Sequence, residues 1–435
     1  MTTDDVSYAS AVERLARALT FGINPSLDGI NELVKVLGCP GHECRFVQVT
    51  GTNGKTSVTR MTGAVLSAHG YRTGVYTSPH LVSYTERITI DGVPLSDAEF
   101  AAVLGDVFDA AAAVDREFTE FELLTAAALH AFQVNDVEFA CLEVGMGGRW
   151  DATSVIDPAV AVITGVALDH TDRLGSTREA IAEDKAHIIT KHSVPILGSG
   201  CGGVEHIFEK RARSFGHSSI LRVGLREEDE IAWRVVRRPH RPGGMLTLDV
   251  HGVRDYRVSI HAPAYQAANV ALAIAASEVA LCSVLDPLVT DRTLRAMVFP
   301  GRFEVLRTEP PLVLDGAHNP DAAAVLSSAI HDTFGSDLPV IVLGVLKDKD
   351  VEGIVRALDG SASAFIATEN GSSRCIPSEE LAAVIARVTD GEPLVVPDLR
   401  QALALGREQG GFGGVVVTGS LYTVGEVKAF EADIP

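Results

Sequence analysis

Residues 51–57, with the sequence GTNGKTS, constrain the fold of this chain more than any other segment. The five residues before them, FVQVT, predict a short buried strand, and apolar residues recur at helical spacing after them as far as Gly70. A strand, a glycine-rich turn and a helix N-terminus form a phosphate-binding site, because free backbone N–H groups and the positive end of the helix dipole face an anion. Val49 stands where the full G-x-x-x-x-G-K-[ST] pattern has its first glycine.

This first glycine loop predicts an ATP site, with an ordinary tight turn and a solvated lysine as the alternative. Lys55 is placed to reach the terminal phosphates, and the Thr56 hydroxyl is placed to ligate Mg²⁺. The predicted ATP-binding residues of the loop are Gly51, Thr52, Asn53, Gly54, Lys55, Thr56 and Ser57.

Composition narrows the class of protein. A chain of 435 residues predicts two or three domains, and 46% hydrophobic with 22% charged residues is typical of a soluble globular protein. The net charge of −20 argues against nucleic acid as a partner, because phosphate backbones need basic surfaces. The acidic N-terminus has no signal-peptide core, and no apolar run approaches the ~18 residues that span a membrane.

The six cysteines are scattered along the chain. Cys39 and Cys44 flank Pro-Gly-His-Glu, which hints at a metal knuckle, but no second Cys/His pair has matching spacing. We therefore expect reduced thiols and a cytoplasmic location.

Two polar residues at predicted strand ends indicate a metal site. The strand FACLEV at 139–144 carries Glu143 near its end, although a strand of a parallel sheet should be almost wholly apolar. A carboxylate there, beside a phosphate loop, suits Mg²⁺, with a surface carboxylate as the alternative. His170 follows another buried strand, 159–166, and is either a second metal ligand or a structural histidine.

The rest of the chain alternates strands and helices. Ser96 with Glu99, Thr119 with Glu122 and Ser176 with Glu179 predict capping boxes at helix starts. Residues 200–262 predict short strands and turns, and residues 266–281 an alanine-rich helix. Four apolar strands and five helices after residue 300 predict a separate doubly wound α/β domain, with an interdomain hinge at Pro300-Gly301-Arg302.

These motifs, taken together, resemble the folylpolyglutamate synthase/dihydrofolate synthase branch of the Mur ligase superfamily. The likeness runs from about residue 22 to the C-terminus. It rests on VTGTNGKTSV (49–58), YTSPHL (76–81), ERITIDG (86–92), TEFELLT (119–125), LEVGMGGRWDAT (142–153), ALDHTDRLG (167–175), FPGRFEV (299–305), LDGAHNP (314–320), GVLKDKD (344–350) and VTGSLY (417–422).

The resemblance implies an α/β fold with a P-loop-containing, Mur-ligase-like central ATPase domain at 1–297 and a smaller Rossmann-like C-terminal domain at 298–435. It also implies that a substrate carboxylate takes the γ-phosphate of ATP, and that the amine of L-glutamate then displaces phosphate from the acyl phosphate. The expected acceptors are dihydropteroate, reduced folates or both. A monomer is implied, with neither nucleic acid nor membrane as a partner.

The resemblance assigns further roles to single residues. Ser78, Glu143 and His170 are expected to hold Mg²⁺. Lys185 matches a lysine that becomes a carbamate, which requires a desolvated amine with a lowered pKa; a monovalent cation is a further expected cofactor. The expected catalytic residues are Lys55, Lys185, Asp315 and His318. Gln266, Asn269, Arg302 and Asp315 are expected at the nucleotide, and Phe121, Arg149 and Asp151 at the acceptor, with a plain core position as the alternative for Phe121.

Several positions depart from the family pattern. Ser154 stands where the family has asparagine, His187 where it has glycine, and Tyr265 where its H-Q-x-x-N has histidine; Arg173 replaces an aromatic residue after D-H-x-D. These departures leave a paralogue that acts on a different carboxylic acid as the main alternative. A nucleotide-binding switch without ligase turnover is the alternative from another class, and retention of Lys55, Glu143, His170 and Lys185 disfavours it.

Overall fold

The computed structural model describes residues 7–18, 26–38, 44–226, 228–389 and 391–432. Contacts divide the chain into two compact units. The first comprises Met1–Trp233, Val250–Tyr256 and Ala268–Leu294, and the second comprises Arg234–Asp249, Arg257–Ala267 and Arg295–Pro435. The hint of a metal knuckle depends on residues 39–43, which lie outside the described residues. The predicted domain boundary at 297/298 stays a prediction.

The helices of the described chain are α1 (Tyr8–Arg17), α2 (Asp28–Val36), α3 (Lys55–Ala68), α4 (Asp97–Ala112), α5 (Glu120–Val134), α6 (Thr171–Leu174), α7 (Arg178–Lys185), α8 (Glu205–Ser214), α9 (Gln266–Leu281), α10 (Pro287–Ala296), α11 (Pro320–Phe334), α12 (Val351–Leu358), α13 (Ser378–Thr389), α14 (Leu399–Gly410) and α15 (Leu421–Ala432). The strands are β1 (Arg45–Thr50), β2 (Thr73–Tyr76), β3 (Ile88–Ile90), β4 (Val93–Pro94), β5 (Phe139–Glu143), β6 (Val160–Gly165), β7 (Val194–Gly200), β8 (Leu221–Gly224), β9 (Ile231–Arg237), β10 (Leu246–His251), β11 (Tyr256–Ile260), β12 (Glu304–Thr308), β13 (Pro311–Leu314), β14 (Val340–Leu343), β15 (Ala364–Ala367), β16 (Leu394–Val395) and β17 (Val415–Thr418). No described helix is both long and apolar enough to cross a membrane.

The first unit is built on a mainly parallel sheet in the order β8-β7-β6-β1-β5-β2-β3-β4. Strand β1 lies between β5 and β6 and is parallel to both, so its side chains are covered on both faces. Val49 pairs with Glu143 of β5, and Thr50 pairs with Ile163 of β6. The carboxyl ends of the three strands therefore meet at one edge, where the first glycine loop begins.

The second unit has a sheet in the order β12-β13-β17-β14-β15-β16. Only β12 is antiparallel to its neighbour; the other pairs are parallel. Helices α11, α12 and α13 pack with this sheet around a core that includes Ile341, Leu343 and Val416. The α/β class predicted from the sequence is confirmed.

Most predicted elements are confirmed, and two predictions are wrong. The capping boxes at Ser96 and Thr119 form as expected, with Glu99 and Glu122 as reciprocal partners. At α7, however, Thr177 rather than Ser176 is the N-cap, and its hydroxyl accepts from the backbone of Ala180. Residues 200–262 hold helix α8 as well as strands, because Phe208 and Ala212 give this charged segment a buried face.

Candidate active site

The first glycine loop connects β1 to α3 and is held from several sides. The Thr52 hydroxyl donates to the carbonyl of Ala167 (3.1 Å) and accepts from its N–H (3.0 Å). Thr164 donates its hydroxyl to the carbonyl of Asn53 (2.6 Å). A Cβ atom at Gly51, whose φ is +150°, would lie 1.9 Å from that Thr164 hydroxyl oxygen, so only glycine fits. The loop backbone is thus fixed before any ligand arrives.

The start of α3 is suited to an anion. Its N-cap is Gly54, in a left-handed conformation (φ +86°) and without a side-chain capping bond. The first N–H groups of a helix carry a partial positive charge, which favours an anion at this end of α3. Lys55 folds back over the loop, where its Nζ donates to the carbonyls of Gly51 (3.0 Å) and Thr52 (3.1 Å). Ser57 is buried in the first turn.

Glu143 meets the first glycine loop directly. Its Oε1 accepts from the Thr56 hydroxyl (2.8 Å), and its Oε2 accepts from the backbone N–H of Ser78 (3.1 Å). Only 2% of Glu143 is exposed, which is rare for a carboxylate and explains why both oxygens are engaged. A hydroxyl and a carboxylate side by side are the oxygen donors that Mg²⁺ prefers, so these residues fit that ion.

His170 is the N-cap residue of the short helix α6, in a left-handed conformation (φ +51°). It follows β6, the strand on the other side of β1 from Glu143. Within the described residues no group of three or more His, Cys, Asp or Glu side chains is arranged to hold a metal ion. The predicted set of Ser78, Glu143 and His170 has only two such side chains, and its role stays a prediction.

Lys185 is buried at the last position of α7, with 3% of its surface exposed. Its Nζ donates to the carbonyl of Gly51 (2.9 Å), the same oxygen that accepts from Lys55. Burial, and then the positive charge of Lys55, lower the pKa of Lys185 from 10.5 to about 7. The sequence-based expectation of a desolvated lysine beside the phosphate loop therefore agrees with the geometry.

Residues 145–151 form a second glycine loop that is clamped to the first. The Thr50 hydroxyl donates to the carbonyl of Gly147 (2.6 Å). Asp184, next to Lys185, accepts from the N–H groups of Gly148 (2.8 Å) and Arg149 (3.2 Å). Sequence reasoning missed this role of Asp184; the charged run around Lys185 was the only signal, and it did not indicate a loop 36 residues away in sequence.

The predicted acceptor residues fall into two groups. Phe121 and Asp151 both lie beside Gly145. A Cβ atom at Gly145 would be 2.7 Å from the Phe121 ring and 3.1 Å from Asp151 Oδ2. Asp151 is buried, and it accepts from the backbone of Met146 (2.9 Å) and Thr153 (3.0 Å). Its burial raises the pKa of its carboxyl. The Arg149 side chain is exposed instead, with its guanidinium carbon 4.8 Å from the ring centre of Trp150.

Two departures from the family pattern have local partners. Ser154 donates its hydroxyl to the carbonyl of Gly148 (2.6 Å) and accepts from the buried amide of Gln48 (3.2 Å). His187 uses Nδ1 at the carbonyls of Glu183 (2.9 Å) and Asp184 (3.2 Å), at the end of α7. Both substitutions therefore hold the same loop and helix end in place.

Asn269 lies in the first turn of α9, and its Oδ1 would be 2.5 Å from a Cβ atom at Gly54. It therefore packs against the first glycine loop within the first unit. Gln266, the first residue of the same helix, is fully buried and is assigned to the second unit.

The second unit brings Arg302, Asp315 and His318 together. Asp315 is buried at the end of β13 and accepts from the N–H groups of Phe303 (2.8 Å) and Ala317 (2.9 Å) and from the Tyr265 hydroxyl (3.2 Å). Burial raises the pKa of Asp315, and the neighbouring Arg302 opposes that shift. His318 Nδ1 lies 2.8 Å from the carbonyl of Gly316.

Two family models match the chain. The Mur ligase middle domain matches residues 49–277, and the Mur ligase, glutamate ligase domain matches residues 301–421. The chain is also 36% identical to the dihydrofolate synthase/folylpolyglutamate synthase of Mycobacterium tuberculosis, over 98% of this chain and 94% of that protein.

Solved structures agree with these matches. The E. coli FolC structure in complex with DHPP and ADP has a TM-score of 0.86 and 27% identity, with 99% of both chains covered. A bifunctional folylpolyglutamate synthase/dihydrofolate synthase with Mn, AMPPNP and L-glutamate bound has a TM-score of 0.84 and 28% identity, covering 99% of this chain and all of that one. With its two Mur ligase domains and its full-length relatives, the chain belongs to the folylpolyglutamate synthase/dihydrofolate synthase family of ATP-dependent, C–N bond-forming ligases.

Proposed function

We propose that this protein adds L-glutamate to dihydropteroate, to reduced folates or to both, at the expense of ATP. The observation that carries the proposal is the junction at the carboxyl ends of β1 and β5. There the first glycine loop contacts the Glu143 carboxylate through the Thr56 hydroxyl and the Lys185 amine through the Gly51 carbonyl. The relatives with DHPP, ADP, AMPPNP and L-glutamate support the same substrates for this chain.

In this proposal the first glycine loop holds the ATP phosphates with its backbone N–H groups, and Lys55 turns from its loop carbonyls to the terminal phosphates. Thr56, Ser78, Glu143 and His170 would hold Mg²⁺. When bound, the ion neutralises charge on the transferring phosphoryl group, so that two anions can meet. The buried Glu143 keeps its oxygens aimed at this position through its bonds to Thr56 and Ser78.

Lys185 is the proposed site of carbamate formation. The lowered pKa makes the neutral amine available near pH 7; it adds to CO₂ and releases one proton, which converts a buried neutral amine into an anion. A monovalent cation is a further proposed cofactor. On the acceptor side, Phe121 stacks against the flat heterocycle, and Asp151 and Arg149 contact other parts of the acceptor.

Of the remaining proposed residues, Arg302, Asp315, His318 and Gln266 belong to the second unit and Asn269 belongs to the first. Arg302, Asp315 and His318 act at the nucleotide, with Gln266 and Asn269 at the adenine. Asp315 and His318 are fixed by backbone hydrogen bonds, which suits residues that must be positioned before the reaction. The free thiols of Cys44, Cys141, Cys201, Cys282 and Cys375 support the proposal of a cytoplasmic protein, and the family supports a monomer.

The test is ADP release from the purified protein with ATP, Mg²⁺, L-glutamate and each acceptor in turn, with mass spectrometry of the product. We expect a product one glutamyl unit heavier than its acceptor. Lys55→Ala and Glu143→Ala should each abolish ADP formation while the circular dichroism spectrum stays unchanged. A rate like the wild type in either variant would remove that residue from the mechanism. Turnover only with non-folate acids in a substrate panel would establish the paralogue instead.

A further inference from the structure

Two arginines of the first unit lie near the turn that follows Lys185. Arg149 extends from the second glycine loop, and its guanidinium stacks on the exposed ring of Trp150. Arg211 lies on α8, with its Nε donating to the carbonyl of Ile189 (3.3 Å) and its guanidinium carbon 4.6 Å from the ring centre of Phe215. Both guanidinium planes are therefore oriented by an aromatic ring.

Packing brings Gly148, the neighbour of Arg149, and the side chain of Arg211 to the same segment, residues 185–189. The backbone of Gly148 packs against the carbonyl of Lys185 and the side chain of Ile188. The carbonyl of the following residue, Ile189, accepts from Arg211. Burial, and then the positive charge of Arg149, lower the pKa of Arg211. The two positive charges repel each other, and a bound anion would relieve that repulsion.

The remaining arginines on and beside α8 are arranged differently. Arg213 and Arg222 both pair with Glu209, at 2.6 Å each. Across the part of the chain that the structure describes, neither Arg149 nor Arg211 has a carboxylate within ion-pair distance of its guanidinium. The Asp184 carboxylate accepts from the backbone N–H groups of Gly148 and Arg149. In a chain with a net charge of −20, an unmatched pair of guanidinium groups is a local positive site.

We propose that Arg149 and Arg211 form a subsite for the carboxylates of a γ-glutamyl tail on the acceptor. The inference rests on the proposed function. Each round of glutamate addition leaves one more α-carboxylate on the product, so a substrate that returns for another round is a polyanion. Guanidinium groups hold carboxylates through paired N–H donors, and two of them can hold two successive carboxylates. The subsite begins two residues from Asp151, where the acceptor ring is proposed to bind.

The test compares acceptors that carry no, one, two or three glutamyl units. In Arg211→Gln the KM for the diglutamyl and triglutamyl acceptors should rise about tenfold, the effect of one partly buried charge-assisted contact. The KM for dihydropteroate, the KM for ATP and kcat should stay at wild-type values. Arg213→Gln, an exposed arginine two residues away and paired with Glu209, is the matched control and should change none of these quantities. Arg211→Lys should restore part of the loss.

Direct binding keeps the inference independent of turnover. A γ-linked tetraglutamate peptide should bind the wild-type protein in calorimetry, bind about tenfold more weakly to Arg211→Gln, and weaken with added salt. Equal effects of the Arg211 and Arg213 substitutions, or the same KM change for every acceptor length, would overturn the subsite. Inorganic phosphate displacing the peptide at equal concentration would overturn its carboxylate specificity. Absence of folate-dependent ADP release from the wild type would instead overturn the proposed function.

Discussion

Replacing Lys185 by methionine should stabilise the protein at pH 7 while abolishing its activity. The side chain is 3% exposed, and its pKa falls from 10.5 to about 7 on folding. That shift corresponds to roughly 5 kcal/mol between the charged and neutral amine. Methionine has nearly the same length and carries no charge, but it loses the hydrogen bond to the Gly51 carbonyl, which is worth about 1 kcal/mol. The expected gain in unfolding free energy is roughly 2–4 kcal/mol.

The gain must depend on pH. Below pH 7 the lysine is protonated in both the folded and the unfolded chain, and the wild type carries the whole cost of burying a cation. Between pH 7 and pH 10.5 the unfolded chain binds a proton that the folded chain does not, so the wild type gains about 1.4 kcal/mol of stability per pH unit. The advantage of the Lys185→Met variant is therefore largest at pH 7 or below and shrinks toward pH 10.5.

Urea unfolding followed by circular dichroism at pH 7 and pH 9 measures this difference. Buffers free of CO₂ keep the amine unmodified, and mass spectrometry of the intact protein verifies this. Lys185→Arg is the control, because arginine stays charged at both pH values and should be destabilising at both. A methionine variant less stable than the wild type at pH 7, or an advantage that is the same at pH 9, would refute the reasoning.

Two further changes test the glycine loops. In Gly51→Ala the new Cβ would lie 1.9 Å from the Thr164 hydroxyl, so we expect calorimetry to show ADP affinity at least tenfold weaker. Gly202→Ala is the control, because its new Cβ would lie 3.6 Å from the nearest atom. An unchanged ADP affinity in Gly51→Ala would contradict the loop geometry. Asp184→Ala removes the acceptor of two backbone N–H groups of the second glycine loop, and should cost roughly 2–3 kcal/mol of unfolding free energy and raise the KM for the acceptor. D184N keeps one acceptor oxygen and should lose less; equal losses in both variants would show that the hydrogen bonds are not the cause.

Local chemistry was legible in the sequence. The helix starts at Ser96 and Thr119 depend on residues three apart, and both form as predicted. The start of α7 was displaced by one residue because Ser176 and Thr177 are adjacent hydroxyl residues and either can cap a helix. Helix α8 was not predicted, because its sequence is mostly charged and contains few apolar residues.

Contacts between residues on different strands could not be predicted from local sequence in the same way. The position of Glu143 opposite Val49 depends on β5 pairing with β1, although the two residues are 94 positions apart in the sequence (143 − 49). Glu143 could nevertheless be singled out from the sequence, because a carboxylate at an otherwise apolar strand end is a strong local signal. In the structure it lies beside Thr56. Asp184 gave no such signal, since a charged residue on a helix is ordinary until its partner loop is known.

One carbonyl oxygen, that of Gly51, receives both Lys55 and Lys185. Two ammonium groups that share an acceptor discourage each other from holding a proton, and this favours the uncharged amine on the buried partner while no anion is present. A phosphate group drawn to Lys55 would offset that charge and weaken the preference, while burial would still lower the pKa of Lys185. The carbamate proposed at Lys185 would therefore form more readily before the nucleotide enters than after it.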